Sequence, residues 1–167
     1  MCLAARVPGV VLAGLEVQPE YADLARRNAA RNGVAMEVVT GDLSAMPRAL
    51  RRGFDHVIAN PPYYAAGGSP SPVAVRDRAL RVETPIADWV RVAAQRLHPG
   101  GWLTMIFATP CLPEALAALA PKMGSAMVLP LEPRAGREPP RVILRARKGG
   151  GGVPAAGALY HPCGGGA

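Results

Sequence analysis

Apolar runs and amphipathic stretches alternate along most of this 167-residue chain. Residues 10–15 are apolar without alternation, which is typical of a strand buried on both faces of a parallel sheet. Residues 35–40, 54–59 and 102–108 predict three further strands. Because the strands alternate with helical patterns, the sequence indicates an α/β fold with a mainly parallel sheet.

The helical segments carry recognisable start and stop signals. Pro19 suits the first position of a helix, and Gly33 is placed to end it. Thr84 is a candidate cap for a second helix, with Pro85 as its first residue. Residues 113–122, rich in alanine and leucine, predict a third helix.

The C-terminal part changes character. Residues 126–131 and 141–147 predict two strands that follow each other directly and form an antiparallel edge. Residues 149–167 are rich in glycine and alanine and offer little to pack, so we expect a flexible tail there.

Charge and cysteine content narrow the function classes. The net charge is +7 and comes mostly from arginine, since Lys122 and Lys148 are the only lysines. A basic balance favours an anionic partner such as nucleic acid, although a coding bias toward arginine would produce the same balance. The three scattered cysteines predict neither a disulfide framework nor a metal site. Without a membrane-length apolar run or a signal peptide, we expect a cytoplasmic protein with no membrane partner.

Three predicted strands end in polar side chains, namely Glu16, Asp42 and Asn60. Ligands of a parallel sheet bind beyond the carboxyl ends of its strands. Glu16 there could accept hydrogen bonds from ribose hydroxyls, and Asp42 could accept one from an adenine amino group. The alternatives are local: Glu16 could favour the N-terminus of the following helix, and Asp42 could serve a Gly-Asp turn.

Asn60 opens a stiff segment, Asn60-Pro61-Pro62-Tyr63. Each proline fixes its own φ, donates no backbone hydrogen bond and keeps the preceding residue out of the helical region. The segment therefore holds an amide, a bare carbonyl and an aromatic ring in fixed relation, as a grip on a planar amino group requires. An ordinary proline-rich turn is the alternative.

Two further features bear on this interpretation. The Gly-rich turn of a nucleotide-binding unit lies roughly 20 residues before the ribose acid, and counting back from Glu16 passes Met1. A basic set could contact phosphates, although a solvated basic face is slightly preferred. The set consists of Arg134, Arg137, Arg141, Arg145, Arg147 and Lys148.

Several segments resemble successive motifs of S-adenosylmethionine-dependent methyltransferases. They are residues 14–16, 21–28, 41–43 and 60–63. Residues 76–79, 88–89 and 97–101 are most similar to the bacterial family that methylates N6 of an adenine in the anticodon loop of valine tRNA.

The resemblance implies a Rossmann-like, seven-stranded sheet with one antiparallel strand, and S-adenosylmethionine as cofactor. It implies Glu16 on the cofactor ribose and Asp42 with Leu43 on its adenine. Asn60, Pro61, Pro62 and Tyr63 would act on the target base, with Asn60 also touching the cofactor. The implied partner is tRNA, with no metal, and we expect a monomer.

The resemblance also implies a partial methyltransferase domain over residues 1–148. The family's first strand and Gly-rich loop are missing from it, which would leave one edge of two strands unpaired. Three alternatives remain open. The same motif could methylate a protein glutamine or an rRNA guanine, or the chain could be a non-catalytic remnant that binds RNA.

Overall fold

A computed structural model of the chain describes residues 2–62, 84–119, 122–132 and 138–150, and the backbone of residues 155–156. The chain divides into two compact units, Met1–Arg52 and Gly53–Ala167. The helices are α1 (Cys2–Arg6), α2 (Pro19–Arg31), α3 (Ile86–Arg96) and α4 (Leu112–Leu119). The strands are β1 (Leu12–Glu16), β2 (Met36–Thr40), β3 (Phe54–Ala59), β4 (Leu97–Ala108), β5 (Met123–Leu131), β6 (Arg141–Lys148) and β7 (Ala155–Ala156).

The first unit is built on two parallel strands and the helix between them. β1 pairs with β2 in parallel, from Leu12 opposite Met36 to Glu16 opposite Thr40. The helix α2 starts at Pro19 and is followed by Gly33 at φ +62°, so both predicted boundary signals are confirmed. Between β2 and β3 the structure has one 3₁₀ turn, Arg48–Leu50.

Arg26 fastens α2 to β2. Its Nε and one terminal nitrogen donate to the carbonyl oxygen of Val38 at 3.2 and 2.9 Å. The same terminal nitrogen also donates to Oγ1 of Thr40 at 3.1 Å, while the other pairs with Asp23. A planar guanidinium is suited to such a forked arrangement, and it satisfies a carbonyl that would otherwise need water.

The second unit contains a five-stranded sheet in the order β3-β4-β6-β5-β7. β3 is parallel to β4, and β6 is antiparallel to both β4 and β5. The sheet is thus mixed, and β6 is the one described strand that runs against the others, as the resemblance implied. The predicted antiparallel pairing of the last two strands is confirmed, and β6 lies inside the sheet, between β4 and β5.

Two sheets replace the single seven-stranded sheet that the resemblance implied. Within the described residues β1 pairs only with β2, and β3 has β4 as its one neighbour, so each has an open edge. In the tail, two residues form β7, which pairs in parallel with β5.

The core of the second unit lies on one face of its sheet. Side chains of α3 and α4 pack there against alternate residues of the two central strands. The fully buried members with the largest volumes are Leu103, Met105, Phe107, Leu144, Val90 and Val142. Each buried aliphatic or aromatic side chain of this size contributes about 1.5–3 kcal/mol by leaving water. This face therefore fixes β4 and β6 side by side.

Two boundaries near α3 differ from the prediction. Pro85 has an extended ψ of 147° and is the N-cap, so Thr84 lies outside the helix and makes no side-chain cap. An exposed helix amide is instead satisfied from another helix, because Ala87 N donates to Glu114 Oε1 at 3.2 Å. The strand β4 begins at Leu97, directly after α3, five residues before the predicted start at Trp102.

Candidate active site

The two candidate carboxylates of the first unit come to the same end of its sheet. Glu16 is the last residue of β1 and stands opposite Thr40, and its carbonyl accepts a hydrogen bond from Gly41 N at 2.9 Å. Asp42 follows immediately. The turn is tight: a Cβ on Gly41 would lie 2.4 Å from Cγ of Pro47. The predicted clustering of Glu16 and Asp42 beyond the carboxyl ends of β1 and β2 is therefore what the backbone produces.

Glu16 has one carboxylate oxygen committed and one available. Its Oε1 accepts a hydrogen bond from the backbone N of Gln18, the N-cap residue of α2, at 2.9 Å. Oε2 has no hydrogen-bond partner among the described residues. The local contact orients the carboxylate at the helix start, and the free oxygen keeps acceptor capacity for a hydroxyl pair.

Asp42 likewise has one carboxylate oxygen engaged in local hydrogen bonds and the other without a partner among the described residues. Its Oδ1 accepts from both the hydroxyl and the backbone N of Ser44, at 2.6 and 2.7 Å. These two bonds, the hydroxyl's first, lower the pKa of Asp42 below its usual 3.8, against a small opposing effect of burial. The carboxylate is thus ionised at neutral pH, with Oδ2 left as an acceptor. Sequence reasoning missed Ser44, although a serine two residues after an aspartate is a known turn pattern.

Asn60 follows β3, whose bounds agree with the prediction residue for residue. Asn60 is exposed, and its side chain makes no hydrogen bond within the described part of the chain. Pro61 is buried and Pro62 exposed, so the segment is anchored just after the amide. The structure therefore presents the Asn60 side chain and the Pro61 backbone at a strand end, in the second unit. Tyr63 lies outside the described residues.

Only part of the predicted basic set lies within the described residues. Arg145 lies 4.1 Å from the centre of the Trp102 ring, and Arg147 lies 5.9 Å from it. Lys148 Nζ donates to the carbonyl of Leu97 at 2.6 Å. Arg134 and Arg137 lie outside the described residues, as does the 76–79 motif.

The described residues provide neither a metal site nor a membrane-spanning helix. They contain no group of three or more histidine, cysteine, aspartate or glutamate side chains that could hold a metal ion. None of their helices combines the length and apolarity needed to traverse a bilayer.

The acceptor set suits a nucleoside. The carboxylate oxygens of Glu16 and Asp42 that have no partner among the described residues are two acceptors at the same end of the β1–β2 sheet, and they match the donors of a ribose hydroxyl pair and of an exocyclic amine. The two carboxylates follow β1 and β2 in the first unit, and Asn60 with two prolines follows β3 in the second. The chain belongs to the methyltransferase small domain family, whose family model matches residues 1–128.

Two curated relatives are similar in sequence. The chain is 31% identical over 132 residues to release factor glutamine methyltransferase of Deinococcus radiodurans, covering 79% of this chain and 41% of the relative. It is 33% identical over 118 residues to 4-amino-L-phenylalanine/4-methylamino-L-phenylalanine methyltransferase of Streptomyces pristinaespiralis, covering 62% and 37%. The chain thus spans about two fifths of the length of these relatives.

A solved structure confirms the fold. Atu636 from Agrobacterium tumefaciens, described as a predicted O-methyltransferase, superposes with a TM-score of 0.74 at 25% identity. The match covers 93% of this chain and 71% of that protein. The α/β, Rossmann-like methyltransferase fold is therefore established for this chain.

Proposed function

We propose that this protein transfers the methyl group of S-adenosylmethionine to an exocyclic amino group, and that its substrate is adenine N6 in a tRNA. The observation that carries the proposal is the exposed amide of Asn60 at the end of a parallel strand, which makes no hydrogen bond to any other described residue. It is followed by Pro61, which has a carbonyl to offer and no N–H to compete with it. Such an acceptor pair matches the two hydrogens of a planar amine.

The carboxylates of the first unit would hold the cofactor's nucleoside. Glu16 would use its free Oε2 for the ribose hydroxyls, and Asp42 its free Oδ2 for the adenine amine, with Leu43 beside the ring. Since Ser44 lowers the pKa of Asp42, the carboxylate remains a full acceptor throughout the physiological pH range. The bound cofactor supplies an electrophilic methyl group on a sulfonium.

The substrate amine needs activation, because its lone pair is delocalised into the ring. Asn60 Oδ1 and the Pro61 carbonyl would accept its two hydrogens, which draws the nitrogen toward tetrahedral geometry and frees the lone pair. Tyr63 would stack on the target base. The new nitrogen–carbon bond would form as the methyl's carbon–sulfur bond breaks, with the neutral thioether S-adenosylhomocysteine as leaving group and the extra proton on nitrogen passing to water. Rate would then come from orientation and from dipoles placed in advance, and the chemistry calls for no metal ion and no general base.

RNA is the proposed substrate class because of the motifs shared with the tRNA adenine family and the net charge of +7. A second candidate has its own support. The Deinococcus relative is named for methylating glutamine of a release factor, and a glutamine amide also offers two hydrogens on a planar nitrogen.

The test is methyl transfer from labelled S-adenosylmethionine to purified tRNA and, in parallel, to a release factor. We expect label in tRNA, recovered as N6-methyladenine after digestion. Asn60→Ala should lower turnover by at least about 100-fold, by analogy with losing one preplaced polar contact. Asn28→Ala, another exposed asparagine, is the matched control and should leave turnover unchanged.

Three results would overturn parts of this proposal. Near-normal turnover in Asn60→Ala would show that Asn60 does not hold the substrate amine. Label in the release factor alone would transfer the assignment to the glutamine candidate. No heat of binding with S-adenosylmethionine in calorimetry would favour the non-catalytic remnant.

A further inference from the structure

Two groups of arginines can be distinguished in the described part of the chain. Arg26 and Arg91 each form an ion pair with an aspartate one helical turn away, and Arg52 pairs with a glutamate. Arg145 and Arg147 pair with no carboxylate within the described residues, and both are exposed. Their positive charge is therefore not neutralised by the described part of the protein.

Arg145 and Arg147 are nonetheless held in place. They are alternate residues of β6 and so point to the same face of the sheet. Trp102 of β4 stands directly opposite Arg147 in the antiparallel register. The guanidinium of Arg145 lies over the indole at 4.1 Å from its centre, and Arg147 Nε donates to the carbonyl of Gly100 at 3.0 Å. We call Trp102, Arg145 and Arg147 the tryptophan–arginine platform.

The platform occupies the face of the sheet opposite the core. The neighbouring residues Leu103 and Ala146, which point the other way, are fully buried against the helices of this unit. A guanidinium stacked on an indole keeps its in-plane N–H groups directed outward, and stacking reduces the rotamer freedom lost on binding. Two such groups on one face make a preformed site for oxyanions.

The platform also lies near Asn60 and Pro61, the proposed acceptors for the substrate amine, which follow a strand of the same sheet. His56 of β3 is level with Trp102, and Asn60 is four residues further along the chain. At about 3.3 Å per residue, Trp102 and Asn60 are offset by about 13 Å along the strand direction, the span of about four stacked nucleotides at ~3.4 Å each. A nucleic acid that presents one base to Asn60 can therefore place a nearby phosphate on the platform.

We propose that the tryptophan–arginine platform binds the phosphate backbone of the RNA substrate, a few nucleotides from the target base. The proposal rests on the function proposed above and adds the residues that would select RNA over a protein substrate. An arginine fork binds a carboxylate or a phosphate in two parallel hydrogen bonds. RNA differs from a protein in carrying a phosphate at every nucleotide, so its backbone can engage both arginines at once.

The experiment compares two double variants of the full chain with wild type. Arg145→Ala with Arg147→Ala removes the platform charges. Arg27→Ala with Arg31→Ala removes the same charge from exposed positions of α2 and is the control. Binding of a fluorescent anticodon stem-loop is followed by anisotropy over a series of salt concentrations.

The platform variant should bind about tenfold or more weakly at low salt, because contacts to phosphate carry most of the affinity. Its slope of log K against log salt should be shallower by about 1 for each arginine removed. Arg145→Lys with Arg147→Lys should recover only part of the affinity, since lysine keeps the charge and loses the fork. Equal melting temperatures establish that these exposed substitutions leave the fold intact.

The results separate this proposal from the proposed function. If wild type methylates tRNA while the platform and control variants bind RNA equally well and with equal slopes, the platform is overturned and the function stands. If wild type methylates a release factor and binds no RNA, the substrate class is wrong and the platform falls with it. A higher KM for RNA in the platform variant alone, with the affinity for S-adenosylmethionine unchanged, supports both.

Discussion

Gly124 in β5 has no room for a side chain. The pairing of β5 with β6 is irregular between Gly124 and Met127, and this bulge brings the backbone of Gly150 against Gly124. A Cβ on Gly124 would lie 1.7 Å from the carbonyl oxygen of Gly150 and 2.5 Å from its carbon. The obstacle is backbone, so no rotamer change can relieve it. We predict that Gly124→Ala destabilises the second unit.

Two opposing effects set the magnitude. Alanine restricts the unfolded chain, which stabilises by about 0.4–1 kcal/mol where the native backbone accepts it. Against this, the new methyl and the Gly150 oxygen must separate by about 1.5 Å to reach ordinary contact, and such overpacking costs typically 1–3 kcal/mol or more. The clash wins, and we expect a net loss of about 2 kcal/mol. For a chain of this size that corresponds to a fall in Tm of roughly 4–8 °C.

Thermal and urea unfolding followed by circular dichroism measure this loss. Gly149→Ala is the comparison, because Gly149 has a φ of +70° but open space around it. That variant should lose only about 1 kcal/mol, from the left-handed backbone. A Gly124→Ala protein as stable as wild type, or more stable than Gly149→Ala, would refute the reasoning.

Three more predictions follow from contacts described above. Arg26→Lys keeps the charge but not the fork on Val38, so it should cost about 1 kcal/mol in urea unfolding, and an unchanged midpoint would contradict this. The lowered pKa of Asp42 gives a contribution to stability that is complete above pH 3.8 and is lost as pH falls through the folded-state pKa. Ser44→Ala should raise that pKa toward its usual value, seen by NMR titration of the carboxyl carbon, whereas an unmoved titration would exclude the hydroxyl as its main cause. Phe107→Ala, at a side chain 1% exposed, should cost about 3–5 kcal/mol in the same unfolding assay, and a loss below 1 kcal/mol would show that the core collapses around the gap.

Much of the fold could be predicted because its signals are local. The strand β3 and the limits of α2 follow from apolar runs and from Pro19 and Gly33, which act within a few residues. The choice of the acids at the ends of β1 and β2 as candidate ligand contacts follows from the general location of ligands in parallel sheets. Each of these inferences needs only the residue itself and the element before it.

The remainder depends on contacts between distant residues. The amide of Ala87, just after the N-cap Pro85, is satisfied by Glu114, which lies 27 residues beyond Ala87. The early start of β4 is set by pairing of Leu97 with Phe54. Neither partner is visible in a local window. Cation stacking on Trp102 is equally hidden, since Arg145 is 43 positions away in the printed sequence.

The position of β6 has a consequence for how the chain is made. β5 leaves the ribosome before β6, yet within the described residues its pairing partners in the sheet are β6 and β7 alone. Until Arg141–Lys148 has been synthesised, β4 ends in an open edge and β5 has no strand to join. Completion of this sheet therefore waits for β6, and a ribosome that stalls before Arg141 would expose the open edge of β4 and the unpaired strand β5 to chaperones and to aggregation.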